Sequence, residues 1–268
     1  MRFYKDIIAE MDESRGNSAN RYHEWSQQSI SRYWDISTNN PFIRRQFYPM
    51  EYWEDLLAWA ARKIETTPTT IVDIGCGNGN LIECIRKVYK NATIYGVDLS
   101  EESLGLARER FSKDRNIRFQ VGSLDRLPFE DGSIDLVTCT EVLEHTFPKT
   151  FGDSFSEVRR VLKTYGYYLA SLPFNEKIAF VCCPECSSVF TPYQHMLFEV
   201  SHDDIREILS KNNLKLIETY QSLDRSQPSN RVKRILKSVT IKWSPNIATR
   251  FFPKAGVSGF LARATKSL

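Results

Sequence analysis

The chain of 268 residues has no apolar run near the roughly 20 residues that a membrane-spanning helix needs, so no transmembrane segment is expected. Its first residues, Met1-Arg-Phe-Tyr-Lys-Asp, lack the apolar stretch of a secretory leader. Cysteine is sparse. Six in a chain of this length do not make a disulfide scaffold, and a reducing cytoplasm is the expected compartment. Charge of one sign is also missing: 36 Lys and Arg against 33 Asp and Glu leave a net +3, too little to imply nucleic-acid binding. No internal repeat or low-complexity tract stands out. What remains is an ordinary globular composition, 41% hydrophobic and 26% charged, enough for one large domain or a domain with a cap.

From about residue 70, apolar strand patterns and helical patterns alternate. Strands are expected near 70–75, 93–98, 117–121, 134–140, 166–172 and 214–220, and helices near 51–63, 79–89, 101–112, 151–163 and 203–212. Such alternation predicts an α/β fold: a mostly parallel sheet with helices on both faces. Right-handed crossovers then bring the loops after the strands to one sheet edge, where ligands bind. Asp73, Asp98, Ser123 and Glu141 all fall at or just past strand ends. Gly166 reads as the turn into the fifth strand. Residues 1–50 are polar and aromatic-rich, with Tyr22, Trp25, Tyr33, Trp34, Phe42, Phe47 and Tyr48, and read as a helical cap over the cleft or as an arm covering the sheet. The expected division is 1–50 cap, 51–221 core, 222–254 basic insertion and 255–268 final strand with the C-terminus.

The first strand runs through Asp73 into Gly75, Gly77 and Gly79, and a helix pattern follows. Glycines at a strand-to-helix turn let the main chain approach a ligand without an intervening side chain. The next strand ends in Asp98, placed to accept hydrogen bonds from the two hydroxyls of an adenosine ribose. The spacing is G-x-G-x-G. The dinucleotide pattern G-x-G-x-x-G needs a glycine where Asn80 stands, which disfavours a nicotinamide-dependent oxidoreductase.

In Asp73-Ile-Gly-Cys-Gly-Asn-Gly79 the chain resembles the class I S-adenosylmethionine (SAM)-dependent methyltransferases, of the type-11 kind. The likeness continues through Asp98-Leu-Ser, Gly122-Ser-Leu-Asp-Arg-Leu-Pro-Phe129, Asp135-Leu-Val137 and Glu141-Val-Leu-Glu-His145, and covers about residues 50 to 220. It implies a Rossmann-like sheet of seven mostly parallel strands, the last antiparallel. It also implies a cofactor site of Asp73, Gly75, Gly77, Asp98, Leu99, Ser123, Leu124 and Glu141. Gly75 and Gly77 would pass under the methionine end, Asp98 would hold the ribose and Leu99 would flank the adenine. The family commonly carries an acid where Ser123 stands. Ser123 accepts more weakly than a carboxylate, and Asp125 is near enough in sequence to substitute.

Glu141, Glu144 and His145 would share one face of a helix beginning near Glu141. Two carboxylates and an imidazole suit a divalent cation, with His195 as a fourth ligand. This resembles metal-dependent O-methyltransferases of the ubiquinone-pathway and small-RNA 2′-O kinds. The alternative, as in relatives with the same string and no known metal, has Glu141 line the cofactor site and His145 cap a helix or act as base.

Cys182-Cys-Pro-Glu-Cys186 holds a single C-x-x-C. A closed zinc site needs four ligands, so Cys183 and Cys186 would require help from His195 or His202; reduced thiols in a loop are the simpler reading. Cys76, Cys84 and Cys139 look like small core hydrophobes, and His23 looks exposed. The basic segment, with Arg225, Arg231, Lys233, Arg234, Lys237, Lys242, Arg250 and Lys254, reads as contacting an anionic acceptor or as a solvated helical face.

The expected reaction is SAM-dependent methyl transfer to an oxygen of a small molecule or glycan, with His145 and His195 as the catalytic candidates. Transfer to N or C without a metal, and a catalytically silent SAM-fold binding protein, are the competing expectations.

Overall fold

The computed structural model describes residues 1–15, 21–22, 26–40, 50–191, 194–221 and 257–266. The basic insertion expected at 222–254, His23, and the cap aromatics Trp25, Phe42, Phe47 and Tyr48 lie outside the described residues.

The centre is a sheet built from β3 (Thr70–Ile74), β4 (Thr93–Asp98), β5 (Ile117–Val121), β6 (Ile134–Thr140), β7 (Leu162–Pro173), β11 (Leu214–Gln221) and β12 (Val257–Ala264). Its seven strands run in the order β11-β12-β7-β6-β3-β4-β5. β3, β4, β5, β6 and β7 pair in parallel, while β12 is antiparallel to both of its neighbours. This is the doubly wound architecture anticipated above, with the order reversing beside β3, where such sheets open a crevice for ligands.

Strand alternation assigns the two faces. Val72 and Ile74 of β3 pack with Phe151, Phe155 and Val158 of α6 (Pro148–Val161) on one side. Ile71 packs on the other side with Trp53, Leu56 and Leu57 of α3 (Met50–Ala61), and with Ile82 and Ile85 of α4 (Asn80–Val88). α5 (Glu101–Arg110) joins that second face through Leu104, its first turn capped by the Ser100 hydroxyl accepting from the Ser103 N–H. α7 (His202–Lys211) leads into β11 behind a capping box at Ser201 and Asp204.

The fifth strand is longer than expected. β6 and β7 slip register between Ile134 and Leu136, so β7 begins at Leu162 and bulges before Tyr167. The left-handed residue is Tyr165, at φ 70°, and not Gly166. Gly166 serves a close approach instead: a Cβ there would stand 3.0 Å from the Lys163 carbonyl oxygen and 3.1 Å from that of Ile134.

Before the core come β1 (Arg2–Phe3), α1 (Tyr4–Arg15), β2 (Arg21–Tyr22) and α2 (Gln27–Asn39). β1 pairs antiparallel with β10 (Leu197–Phe198), and a small sheet joins β2, β9 (Ser188–Phe190) and β8 (Val181–Cys182). Tyr4, Ile7, Met196 and Phe198 form a minor core there. α2 lies against α5, tied by Thr38 to Ser103 at 2.8 Å. Among the described residues, no helix is long and apolar enough to cross a membrane.

Candidate active site

β3 ends at Ile74, and the chain turns through Gly75, Gly77 and Gly79 at φ 67°, 51° and 84°. These left-handed values suit glycine. The three differ in what surrounds them. A Cβ at Gly75 would lie 2.2 Å from Val142 Cγ2, and one at Gly79 would strike the Phe111 ring, whereas one at Gly77 would meet no heavy atom within 4 Å. The loop is therefore packed onto its own domain at either end and open at its middle glycine.

The end of β4 faces that opening. Asp98 Oδ2 accepts the Gly77 N–H at 2.8 Å, and Oδ1 accepts the Ser100 N–H at 2.9 Å. Burial pushes the Asp98 pKa upward, while the N–H groups of Ser100, Gly77 and Leu99 pull it back. Three N–H groups on about four lone-pair directions leave the carboxylate room for a further donor. Leu99 is half-buried, and its carbonyl accepts from Ser31 Oγ of α2 at 3.4 Å. Ser100 in turn donates to Asp35 of α2.

Asp73 is buried and accepts from Thr138 Oγ1 at 2.6 Å; burial pushes its pKa up to about 7. Leu124 is buried, and Ser123 donates its hydroxyl to Asp125. Asp73, Gly75, Gly77, Asp98, Leu99, Ser123 and Leu124 thus gather at the C-terminal edge of the sheet, as the strand ends dictate.

The E-x-x-E-H element departs from its expected form. No α-helix starts at Glu141. Glu141 has φ 56°, and a single 3₁₀ turn spans Leu143–His145. The left-handed residue sends Glu141 away from its neighbours: Oε1 accepts from Ser171 Oγ at 2.9 Å and from Tyr52 OH at 3.5 Å. Glu144, His145 and His195 do converge. Each presents one ligand atom, and the three atoms lie within 4.8 Å of one another. Glu141 stands outside this group, so the four-ligand set expected above reduces to three.

Glu144 is 1% exposed, and its Oε2 has no hydrogen-bond partner. Burial holds its pKa far above the usual carboxylate range, and the charges of Glu141 and Glu176 add to that push. His145 Nδ1 is 3.3 Å from the Gln194 carbonyl oxygen, and His195 Nδ1 is 2.6 Å from Glu176 Oε2. A carbonyl and a carboxylate only accept, so each imidazole carries a proton on Nδ1, and in its neutral form keeps the lone pair on Nε2. Two imidazole nitrogens and an orphaned carboxylate oxygen are a donor set that fits a divalent cation.

Sequence reading missed the residues that support this cluster. Glu176 and Gln194 follow β7 in irregular chain without a motif. Trp34 of α2 meets the His145 ring at 5.1 Å between centroids, edge to face. Only the aromatic density of residues 1–50 hinted at it. His202 stacks on Phe174, and Cys183 and Cys186 belong to no group of three potential ligands among the described residues.

The family sequence model described as "Methyltransferase domain" matches residues 72–170. The demethylmenaquinone methyltransferase of Lactococcus lactis is 29% identical over 175 residues, 63% of this chain and 64% of that protein. The ubiquinone biosynthesis O-methyltransferase of Thiobacillus denitrificans is 32% identical over 117 residues, 42% of this chain and 47% of that one. The matches therefore span less than two thirds of these curated relatives. A crystal structure of an S-adenosylmethionine-dependent methyltransferase from Clostridium acetobutylicum superposes with a TM-score of 0.59 at 16% identity, covering 89% of this chain and 99% of that one. The strand order, the glycine turn between β3 and α4, and these likenesses agree on one reading: residues 72–170 carry a methyltransferase domain, on the fold of the class I S-adenosylmethionine-dependent methyltransferases.

Proposed function

We propose that the chain transfers the methyl group of SAM to a hydroxyl of a small molecule or glycan. The cofactor is assigned to the open face of Gly77, with Asp98 accepting from the ribose through its remaining lone-pair capacity. Leu99 and Leu124 would flank the adenine, and the Ser123–Asp125 pair would meet its amino group. Gly75 turns the chain toward the methionine end, whose ammonium would sit near Asp73. Glu141, held by Ser171 and Tyr52, would line the same cavity.

The sulfonium already activates the methyl group, so the protein must align the nucleophile and exclude water; such positioning is worth up to about 7–11 kcal/mol. A neutral hydroxyl also has to lose its proton. The observation that carries an oxygen acceptor is the cluster of buried Glu144, with its orphaned Oε2, and half-buried His145 and His195. It is linked to the cofactor loop through Val142, which covers Gly75. Glu144, His145 and His195 would hold a divalent ion, which when bound lowers the pKa of an acceptor hydroxyl. Glu176 and the Gln194 carbonyl orient the two imidazoles, and Trp34 walls the cluster on the side of α2. O-methyltransferases among the relatives support an oxygen acceptor. A second, metal-free reading has His195, oriented by Glu176, take the proton as general base. Six free thiols support the cytoplasm as the compartment.

Elemental analysis of the purified protein separates the two readings. The metal reading expects one divalent ion per chain, lost in Glu144→Gln and in His195→Ala while SAM affinity stays within a few-fold. A metal-free wild type that still turns over would leave the general-base reading.

A further inference from the structure

The hairpin β8–β9 has no part in the site above, yet it carries three of the six cysteines. Its turn is closed at both ends: the Ser187 N–H donates to the Cys183 carbonyl and the Cys183 N–H to the Ser188 carbonyl, each at 2.9 Å. The bond from Ser187 back to Cys183 is i→i+4, a single helix-like turn, and such a turn sets residues three apart side by side. A disulfide closes across a Cα separation of roughly 4.4–6.8 Å. Cys183 and Cys186 are such a pair. Ser187, just after them, has φ 57°, a left-handed turn end that fixes the hairpin's return.

The two thiols also differ in environment. Cys186 is exposed and Cys183 half-buried. Hydrogen bonds from the Ser188 hydroxyl, the Ser188 N–H and the Cys183 thiol stabilise a negative charge on the Cys186 sulfur and bring its pKa down to about 7. The Ser188 hydroxyl lies 3.3 Å from that sulfur. Cys76, Cys84 and Cys139 are buried, and burial pushes all three thiols up, Cys84 to about 11. Thiol reactivity follows the accessible thiolate, and an attacking thiol works best with a pKa near ambient pH. Among the described residues no third ligand group stands with Cys183 and Cys186, so a closed zinc site is not assembled there.

We propose that Cys183 and Cys186 are a redox-reactive pair which a small-molecule disulfide converts reversibly into an intramolecular disulfide. The Cys186 thiolate attacks one sulfur of the small disulfide. A mixed disulfide forms at Cys186, and one small thiolate leaves. Cys183 loses its proton to solvent and attacks the Cys186 sulfur, releasing the second thiolate. The protein gives up two protons and two electrons, and the small disulfide is reduced to two thiols. The oxidised hairpin would be clamped one strand before Thr191, whose hydroxyl donates to the His195 carbonyl at 2.8 Å.

The test uses the full chain, reduced, desalted and incubated with oxidised glutathione. Intact mass and peptide mapping should show loss of two hydrogens and a Cys183–Cys186 link, reversed by dithiothreitol. In Cys183→Ser the reaction should stop at a single glutathione adduct on Cys186. Cys186→Ser should react at least about tenfold more slowly, and Cys182→Ser should behave as wild type. Thermal melts of the three variants identify any that fail to fold. The proposal is overturned if wild type ends as a glutathione adduct, if the link maps to Cys182, or if the thiols stay unreactive and release zinc on chelation.

Discussion

His195 Nδ1 and Glu176 Oε2 lie 2.6 Å apart, with side chains 12% and 21% exposed. This contact fixes which imidazole nitrogen faces Glu144 and His145, because a carboxylate has no proton to offer the other tautomer. Glu176→Gln keeps the shape and removes the charge. It is expected to weaken divalent-metal binding by about 10–100-fold, the usual effect of losing such an orienting partner. Competition with a chromophoric chelator measures it. Equal affinity in both proteins would detach Glu176 from the site.

Gly75 and Gly77 should respond differently to alanine. Both have positive φ, which costs an L-residue roughly 1–2 kcal/mol. Gly75→Ala adds a collision with Val142 and should lower the melting temperature much more than Gly77→Ala. Gly77→Ala, whose methyl points into open space, should instead lose SAM binding. Melting curves and calorimetric titration of the two variants separate fold from ligand. Wild-type SAM affinity in Gly77→Ala would refute the cofactor assignment.

Asp98→Ala removes the acceptor proposed for the ribose and also the anchor of the Gly77 and Ser100 N–H groups. Hydrogen bonds to a charged group contribute about 1.5–3 kcal/mol each, so SAM affinity should fall by at least about tenfold. His195→Ala should spare SAM affinity and reduce turnover. Parallel losses in both quantities would count against an acceptor-side role for His195.

Asp73 gives the protein a pH signature. Its folded pKa of about 7 lies above its ordinary value of 3.8, so between those limits the folded state holds a proton that the unfolded state has released. Stability should therefore fall as pH rises from about 4 to 7. The loss amounts to up to about 4 kcal/mol, because each tenfold change in proton affinity is worth about 1.36 kcal/mol. Asp73→Asn should flatten that slope in denaturant titrations at several pH values. A neighbouring ammonium favours the ionised carboxylate, so SAM affinity should weaken as pH drops below 7 in the wild type and not in Asp73→Asn.

The sheet was readable because its signals are local. Apolar strands, helical periodicity and glycine punctuation placed β3, β4, β5, β6 and β11 within a residue or two of their observed bounds. The doubly wound order followed from alternation and handedness. β7 was misjudged by four residues because a bulge is a relation between two strands, and Tyr165 carries no mark of its left-handed turn. The same limit explains Glu141. The spacing i, i+3, i+4 joins side chains only on a continuous helix, and one residue at positive φ breaks it. Glu176, Gln194 and Trp34 were invisible for a different reason. They reach the cluster across long sequence separations from segments without a motif, where only tertiary contacts decide the neighbours.

The insertion of β12 between β7 and β11 has a consequence for how the protein is made. As the chain leaves the ribosome, Leu214–Gln221 emerges well before Val257–Ala264, which among the described residues is its one partner strand in the sheet. The outer flank of β7 meanwhile presents unpaired main-chain groups, a surface prone to pairing with foreign strands. Synthesis of Val257–Ala264 is thus expected to cover that flank, and chaperone occupancy should drop once residues 257–264 clear the exit tunnel.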